Sequence, residues 1–361
     1  MYKVHVSSEP LTDEERYLFQ PYIDVWGLDR SIWDVYSCFL NTSSAYSIPR
    51  IVRIKEGNTL LAACYMMNCK DYGSTLTSKS WLQQSIRNIG IPVYIWMKSG
   101  IAAENFANPG FIRKNQSHFD TSTLIKVLKR KFLTLFIHDL TSHAEIYPGS
   151  SKLRYPDDGI IKINALESIG DYLRIHKNLK KKLRHFRKHG GSVEIKKGQL
   201  DTTLQEHVKK SVLSTSRHSL FRLPYQEHYA EMCRRSTSIP NDRIVHFICK
   251  NDQYFLGYHT FIQFEKQLRC MHGAFNRDIA TTHHAYENMI YRTVEYGIEQ
   301  QLDTVYYGPV LNETKRRMMD TFVPTQLYLY SSIPGMQKML YPFLKSSRLQ
   351  QERLLEFSSS A

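Results

Sequence analysis

The second half of the chain carries an ordered run of apolar strands and one long amphipathic helix, and this order restricts the fold most. Apolar runs separated by short turns predict strands at 243–249, 255–264 and 268–275. A helix at 282–298, a strand at 304–307, a helix at 313–319 and a strand at 326–331 follow. Strands joined by tight turns form hairpins. The run therefore predicts an α/β domain with a hairpin-built sheet and flanking helices.

The first half repeats the same kinds of element. Helices are predicted within 11–40, where Trp26 and Trp33 lie on apolar faces, and at 77–89 and 121–130. The predicted strands are 50–55, 59–68, 93–97 and 132–138, with Glu56-Gly57-Asn58 as a hairpin turn. Both halves thus show a hairpin, a helix and a strand, which indicates a structural duplication. The turn-rich segment 147–151 marks the boundary, so we predict domains at 1–150 and 151–345 and a polar tail at 346–361.

Length and composition agree with two folded domains. The chain has 361 residues, of which 42% are hydrophobic and 12% aromatic, enough to build cores and exclude a disordered protein. No apolar run reaches the roughly 18 residues of a membrane span, and residues 1–15 lack the apolar core of a signal peptide. The six cysteines form no C-x-x-C pair, so we expect reduced core thiols, no structural metal and a cytoplasmic location.

The excess positive charge is concentrated in one segment. The chain carries +14, and residues 172–198 contain ten Lys and Arg against the single acid Glu194. An apolar stripe with steps of three and four, broken at His176, predicts one helix that ends at Gly190-Gly191, followed by a strand at 192–196. The stripe consists of Leu166, Ile169, Leu173, Leu179, Leu183 and Phe186.

A second face of this predicted helix is basic. It carries Lys177, Lys181, Arg184 and Lys188 at helical spacing. One interpretation is an ordinary solvated face. The other is a docking surface for phosphates or an acidic partner, which would relieve the repulsion among these charges.

The second half resembles the GNAT-fold acyltransferases in the order of its motifs. These are YFLGYHTFIQFEKQLRCMHGAFN, HHAYENMIYRTVEYGIEQQLDTVYYGP and NETKRRM, preceded by NLKKKLRHFRKHGGSVEI. The most similar branch has two such domains in one chain and contains the Fem-type peptidoglycan aminoacyl transferases and related acetyltransferases. The resemblance covers about residues 155–332. It implies two tandem GNAT-like domains, each with a mixed, mostly antiparallel sheet.

The resemblance also implies where a donor would bind. GNAT domains splay two neighbouring strands around the pantetheine arm, here 268–275 and 304–307. The donor pyrophosphate rests on the loop before the central helix, here 276–284, where helix N–H groups favour anions. Arg277 matches the family pattern in this loop, but its glycines are absent. Thr281 and Thr282 are expected to cap the helix and add hydroxyl donors, and His283 and His284 begin it. Further expected donor contacts come from Lys315, Lys181 and Arg184.

Amide formation from a thioester requires an amine that loses a proton, a stabilised carbonyl oxygen and a protonated leaving group. The candidate proton acceptors are His272 and His259. The candidate proton donors are Tyr258, Tyr306 and Tyr307, with Tyr258, His272 and Tyr307 taken as the catalytic set. Each of these side chains could instead be a packed residue with one hydrogen bond, and ordered water could carry the proton.

Three functions stay open at this point. The first is an N-acyltransferase that uses acyl-CoA, or the phosphopantetheine of an acyl carrier protein, and an amine-bearing small molecule or peptide. The second is an aminoacyl-tRNA-dependent Fem-type peptide ligase, with the basic helix at 172–189 on tRNA phosphates. The third is a non-catalytic GNAT-fold binding module, which the missing glycines favour.

Overall fold

A computed structural model defines the fold. It describes residues 2–25, 32–40, 47–69, 93–97, 110–112, 119–140, 149–217, 239–310, 313–335 and 337–338. The chain forms two compact units. Unit 1 is built from the described residues up to Asp157 and from Pro324 onward, and unit 2 is built from Asp158–Val323.

The described elements alternate along the chain. The helices are α1 (Asp13–Val25), α2 (Ile32–Leu40), α3 (Thr121–Lys131), α4 (Ile169–Ile175), α5 (Leu179–Lys188), α6 (Thr202–Arg217), the short α7 (Arg277–Ala280), α8 (Ala285–Glu299) and the short α9 (Glu313–Arg317). The strands are β1 (Tyr2–Ser7), β2 (Ser47–Glu56), β3 (Thr59–Cys69), β4 (Val93–Met97), β5 (Gly110–Ile112), β6 (Thr134–Leu140), β7 (Ser151–Lys162), β8 (Ser192–Lys197), β9 (Ile244–Lys250), β10 (Phe255–Gln263), β11 (Gln267–Phe275), β12 (Thr304–Pro309) and β13 (Thr321–Ser331).

Unit 1 contains a sheet in the order β1-β2-β3-β4-β6-β13, with β5 paired to β3. Strands β4 and β6 are parallel, and the other described pairs in this unit are antiparallel. Helix α3 precedes β6 in the chain and buries Leu124 and Leu128 against Val52, Ile54 and Leu61 of the sheet. A parallel pair needs a long crossover connection, and α3 lies in the one that joins β4 to β6.

Unit 2 contains a sheet in the order β7-β12-β11-β10-β9-β8. Here β11 and β12 are parallel, and the other pairs are antiparallel. Helix α6 packs Val208 and Val212 on one face of this sheet. Helix α8 covers the other face, where the Tyr296 and Phe247 ring centroids are 5.5 Å apart. Six of the seven residues of β9 are buried, because both faces of the sheet are covered.

The two units share one plan, which confirms the predicted fold class. Each has four strands, a parallel step to a fifth strand, and a sixth antiparallel strand. The sixth strand of unit 1 is β13, which follows unit 2 in the chain and pairs Thr325–Ser331 with β6. Nothing in the sequence predicted that β13 would pair with β6 of unit 1. The domain limits 1–150 and 151–345 stay a prediction, and the tail at 346–361 lies outside the described residues.

The basic segment contains two helices instead of the single predicted one. Helix α4 ends at Ile175, and α5 begins at Leu179. The break falls at His176, whose backbone leaves the helical conformation with a ψ of 67° and whose ring centroid lies 4.4 Å from that of Tyr172. The Tyr172 hydroxyl in turn donates to the Met318 carbonyl oxygen at 2.9 Å. The buried Tyr172 thus fixes the end of α4, and α5 begins as a separate helix.

The predicted end of the basic helix is correct. Gly190 has a φ of 69°, and the Gly191 N–H donates to the Phe186 carbonyl oxygen at 2.9 Å, which is a glycine C-terminal motif. Strand β8 then follows as expected. The hairpin turn at Gly57, with a φ of 58°, is also confirmed.

Two strands of the structure, β1 and β7, were not predicted, and some predictions concern residues that the structure does not describe. The β1 sequence, YKVHVS, alternates between apolar and polar residues, so its pattern could have revealed this strand. The β7 sequence is interrupted by Pro156, Asp157 and Asp158, which obscures any alternation. The predicted helix at 77–89 and the residue Trp26 lie outside the described residues. Within the described part, no helix is long and apolar enough to span a membrane. Cys64, Cys249 and Cys270 are buried free thiols.

Candidate active site

Strands β11 and β12 separate partway along their length, and the gap between them defines the candidate site. They pair from Gln267 and Thr304 as far as Arg269 and Tyr306, and no later pair exists among their described residues. The Arg269 guanidinium lies 4.4 Å from the centre of the Tyr306 ring at this last pair. The splay that the resemblance implied is therefore present. Beyond Arg269, the edge of β11 that faces the gap offers backbone groups that pair with no strand among the described residues.

An irregularity in β11 falls at the start of the gap. Phe261 of β10 pairs with Cys270, but Thr260 pairs with His272, so Met271 is an extra residue. A bulge of this kind re-aims the following backbone groups. The backbone from Met271 onward is thus turned relative to the regular ladder just where β12 departs.

A glycine in β11 lets a histidine of β10 lie across the floor of the gap. Gly273 is directly opposite His259, and a Cβ on Gly273 would lie 2.1 Å from His259 Cδ2. Four aromatic rings surround the His259 imidazole with centroid distances between 5.2 and 5.9 Å. They belong to Phe261, Phe275, Tyr286 and Tyr307.

The His259 imidazole is neutral in the folded protein. It is 5% exposed, and burial, together with the positive charge of Lys315, lowers its pKa to about 3. Its Nδ1 has no hydrogen-bond partner within the described structure. A group with so low a pKa is a weak proton acceptor at neutral pH, which argues against His259 as the general base.

Tyr307 and Lys315 lie beside His259. The Tyr307 ring is 3% exposed, and burial raises the pKa of its phenol well above the ordinary value. The phenol oxygen makes no hydrogen bond of normal geometry to any described residue. The Lys315 ammonium donates to the Tyr307 carbonyl oxygen at 2.6 Å, where the register of β12 against β7 shifts. Lys315 thereby holds the backbone of β12 at the gap.

The other two predicted catalytic residues lie on the opposite face of the sheet. His272 Nδ1 and the Tyr258 hydroxyl share a hydrogen bond of 3.1 Å. Tyr258 is fully buried and packs with Val208 and Val212 of α6. The structure therefore brings His272 and Tyr258 together, but it places Tyr307 with His259 beneath α8.

The loop 276–284 differs from its expected local structure. The N-cap of α8 is His284, which adopts a left-handed conformation with a φ of 54°, so Thr281 and Thr282 do not cap the helix. The Thr282 hydroxyl donates to the Ile279 carbonyl oxygen at 2.8 Å, and Thr281 is exposed. The Arg277 N–H donates to Ser214 Oγ at 3.1 Å, which fixes the loop to α6.

Helix α5 lies against the start of α8. The Lys182 ammonium and the Glu287 carboxylate form an ion pair of 2.5 Å. Lys181 and Arg184 are exposed, and His283 lies close to the end of α5, with its ring centroid 6.3 Å from that of His189. Of the predicted donor contacts, His283 lies against the end of α5, and Lys181 and Arg184 lie on the exposed surface of the same helix. Sequence reasoning missed the contacts of Lys182, His185 and His189 with residues 283–287, because they are long-range.

No metal site is present among the residues described: no group of three or more His, Cys, Asp or Glu side chains there could hold an ion.

Three solved structures share this fold at low sequence identity. A tandem GNAT protein from the clavulanic acid biosynthesis pathway superposes with a TM-score of 0.53 and 9% identity, over 92% of this chain and 99% of that one. The C-terminal domain of a putative lysylphosphatidylglycerol synthetase from Agrobacterium fabrum superposes with a TM-score of 0.51 and 8% identity, over 91% of this chain and 97% of that one. FemX superposes with a TM-score of 0.51 and 11% identity, over 85% of this chain and 96% of that one.

These likenesses show that the chain has the tandem GNAT fold, of the kind seen in Fem-like proteins. No protein-family model matches the sequence, and no curated protein matches it.

Proposed function

We propose that this protein is an N-acyltransferase that moves an acyl group from a thioester to an amine and forms an amide. The observation that carries the proposal is the gap between β11 and β12, which opens after Arg269 and Tyr306. An extended arm with amide groups, such as pantetheine, can pair with the free backbone edge of β11 as an added strand would.

The backbone supplies the main catalytic element. In the reaction, the amine attacks the thioester carbonyl carbon, the C–N bond forms, the C–S bond breaks, and the thiolate takes up the proton that the amine loses. Negative charge develops on the carbonyl oxygen, and preorganised N–H groups stabilise it. Re-aimed backbone groups at the bulge around Met271 are suited to this role. With His259 held neutral by burial, we assign proton transfer to ordered water or to the pair of His272 and Tyr258.

The donor is proposed to be acyl-CoA or the phosphopantetheine of an acyl carrier protein. Its phosphates would meet the loop 276–284, with Arg277, Thr281, Thr282 and His283, and the exposed Lys181 and Arg184 of α5. Lys315 is a further candidate contact at the gap. The acceptor is an amine-bearing small molecule or peptide. A cytoplasmic location is proposed with these donors.

Two of the similar structures are described as FemX and a lysylphosphatidylglycerol synthetase. They support a second candidate function, that of a ligase that takes an aminoacyl group from tRNA. The positive charge of α5 suits both an acidic carrier protein and tRNA phosphates, so the test includes both.

The test is to incubate the full chain separately with acyl-CoA, acyl carrier protein and charged tRNA, and to identify retained ligands by native mass spectrometry. Retention of a thioester supports the N-acyltransferase. Retention of charged tRNA alone supports the aminoacyl ligase. If none of the three is retained, both enzymatic functions are rejected and a non-catalytic binding module is left.

A further inference from the structure

Four histidines from two separate segments meet where α5 packs against the start of α8. His185 and His189 lie one turn apart, with ring centroids 4.2 Å apart. The His185 and His284 ring centroids are 5.3 Å apart, and those of His189 and His283 are 6.3 Å apart. We define these four residues as the imidazole cluster.

The cluster has free hydrogen-bonding capacity. His283 Nδ1 is buried and has no partner in the described structure. His284 holds a left-handed backbone conformation, with a φ of 54°, which non-glycine residues adopt at a cost in free energy. His185 and His189 are exposed, so the cluster is reachable from solvent on the α5 side.

The surroundings carry charges of both signs. The charged and titratable groups of the packed elements are Lys182, Arg187 and Lys188 on α5, Glu287 and Tyr291 on α8, Arg277 and Asp278 on α7, and Asp252 beside Gly190. Glu287 is already paired with Lys182. Burial lowers the pKa of His284, and the charges of Lys182, His185 and His283 lower it further, against the opposite effect of Glu287.

Such a group of imidazoles responds strongly to an anion. In the free protein, burial and the neighbouring cations and rings disfavour protonation of His284. A bound phosphate reverses this balance, because each imidazolium then gains a nearby negative charge and a charge-assisted hydrogen bond. Binding should therefore take up protons from solvent.

We infer that the imidazole cluster is a proton-linked phosphate-binding site, in which histidines of α5 replace the missing glycine loop and grip the donor phosphates more tightly as the pH falls. The inference rests on the proposed function, because the phosphates are those of its thioester donor. It extends the site to His185 and His189, which lie outside the loop 276–284, and to His284, to which no role was assigned from the sequence.

The probe for the test is dephospho-CoA, because its pyrophosphate diester keeps a constant charge between pH 6 and pH 8. Its binding to the full chain is measured by calorimetry at both pH values, in buffers with different ionisation enthalpies so that proton uptake is counted. An imidazole of ordinary pKa, about 6.5, that stays protonated in the complex makes the affinity roughly 25-fold tighter at pH 6 than at pH 8. We also expect net proton uptake at pH 7.

Variants separate the cluster from a general effect of charge. H185Q combined with H189Q, and H283Q alone, should reduce both the pH dependence and the proton uptake. The matched control is H5Q, which removes an exposed histidine of unit 1 and should change neither. Circular dichroism confirms that each variant is folded.

The inference is overturned if dephospho-CoA fails to bind at either pH, if its affinity is equal at both, or if the cluster variants keep the full pH dependence. Acyl transfer is assayed separately on the same samples. Transfer without proton-linked binding rejects only the imidazole site, and proton-linked binding without transfer rejects only the proposed function.

Discussion

At the scale of single residues, the packing of His259 over Gly273 depends on the absence of one side chain. The glycine has no Cβ to meet the ring, and a Cβ would lie 2.1 Å from His259 Cδ2. The imidazole can therefore reach Tyr307 on β12 from its place on β10. Nothing in the local sequence distinguishes this glycine from one in any other strand.

We expect Gly273→Ala to lower the free energy of unfolding by about 1–3 kcal/mol, because the added methyl group overpacks the site. The same substitution made in a His259→Ala background should cost much less, since the ring is gone. Urea unfolding of the four proteins in this double-mutant cycle measures the coupling. Equal costs in both backgrounds would show that the ring does not lie over the glycine.

A second histidine, His246 of β9, is buried in a polar contact. Its Nε2 lies 2.8 Å from the Gly198 carbonyl oxygen, and its Nδ1 lies 2.9 Å from Thr260 Oγ1. Because a carbonyl oxygen only accepts, Nε2 carries the proton and Nδ1 accepts from the threonine hydroxyl. Burial, against the opposite effect of the Gly198 carbonyl, lowers the pKa of His246 to about 4.

This low pKa predicts a loss of stability in acid. Below a pH of about 6.5 the unfolded chain protonates this histidine, whereas the folded protein does so only near pH 4. The stabilisation is complete above pH 6.5 and decreases as the pH falls, by about 3 kcal/mol at the lower end. NMR titration of the imidazole should show no protonation above about pH 5. A midpoint near 6.5 would contradict the buried, neutral state.

At this scale the sequence identified residue types better than their partners. It selected Tyr258, His272 and Tyr307 as candidates, but alternation along β10 and the bulge at Met271 decide which face each side chain occupies. One extra residue in a strand reverses the faces of all that follow. The separation of Tyr307 from His272 and Tyr258 therefore could not be derived from spacing.

At the scale of elements, α5 combines a buried stripe with a densely charged surface. Leu179, Leu183 and Phe186 are buried, whereas Lys181 and Arg184 are exposed. Their charges contribute little to stability because exposed charges are well solvated. The surface can therefore be altered without disturbing the packing.

Reversing both charges, with Lys181→Glu and Arg184→Glu, should weaken donor binding while leaving the melting temperature nearly unchanged. The control is Lys126→Glu with Lys210→Glu, two exposed positions on α3 and α6 that give the same change in net charge. Donor affinity is measured at two salt concentrations, because electrostatic attraction is screened by salt. An α5 variant that unfolds would show a structural role for these residues, and an unaffected affinity would exclude α5 from docking.

The sequence predicted helices and strands correctly where the apolar pattern was clear and recognisable turn residues marked the ends. The strands β9, β10 and β11 and the end of α5 at Gly190 follow from such signals. The break between α4 and α5 does not, because it depends on the hydrogen bond from Tyr172 to Met318, 146 residues away in the chain. The contact of α5 with α8 is likewise long-range.

At the scale of the whole chain, the two units repeat one plan, and the last strand of unit 1 comes from the end of the chain. Seven residues of β13, from Thr325 to Ser331, pair with β6. Tyr328 and Leu329 are buried, and Tyr328 belongs to the core of unit 1. The duplication was visible in the order of elements, but the pairing of distant strands leaves no periodic signal.

Removing residues 324–361 should therefore destabilise unit 1, because it exposes β6 as an edge and opens the core at Tyr328. Deletion of 339–361, which keeps β13, is the matched control. Hydrogen exchange followed by mass spectrometry should show lost protection in β2 and β3 for the first deletion and retained protection for the second. Full protection of unit 1 without β13 would contradict its place in that sheet.

The most direct test of the central claim is to follow thiol release and amide formation together. The full chain is mixed with acyl-CoA or acyl carrier protein and a panel of amines, and products are identified by mass spectrometry. Transfer through the gap between β11 and β12 predicts one amide per thiol released, at a rate that falls in the variant with Lys181→Glu and Arg184→Glu. Absence of amide with every thioester and amine, from a folded protein, would contradict the assignment as an N-acyltransferase.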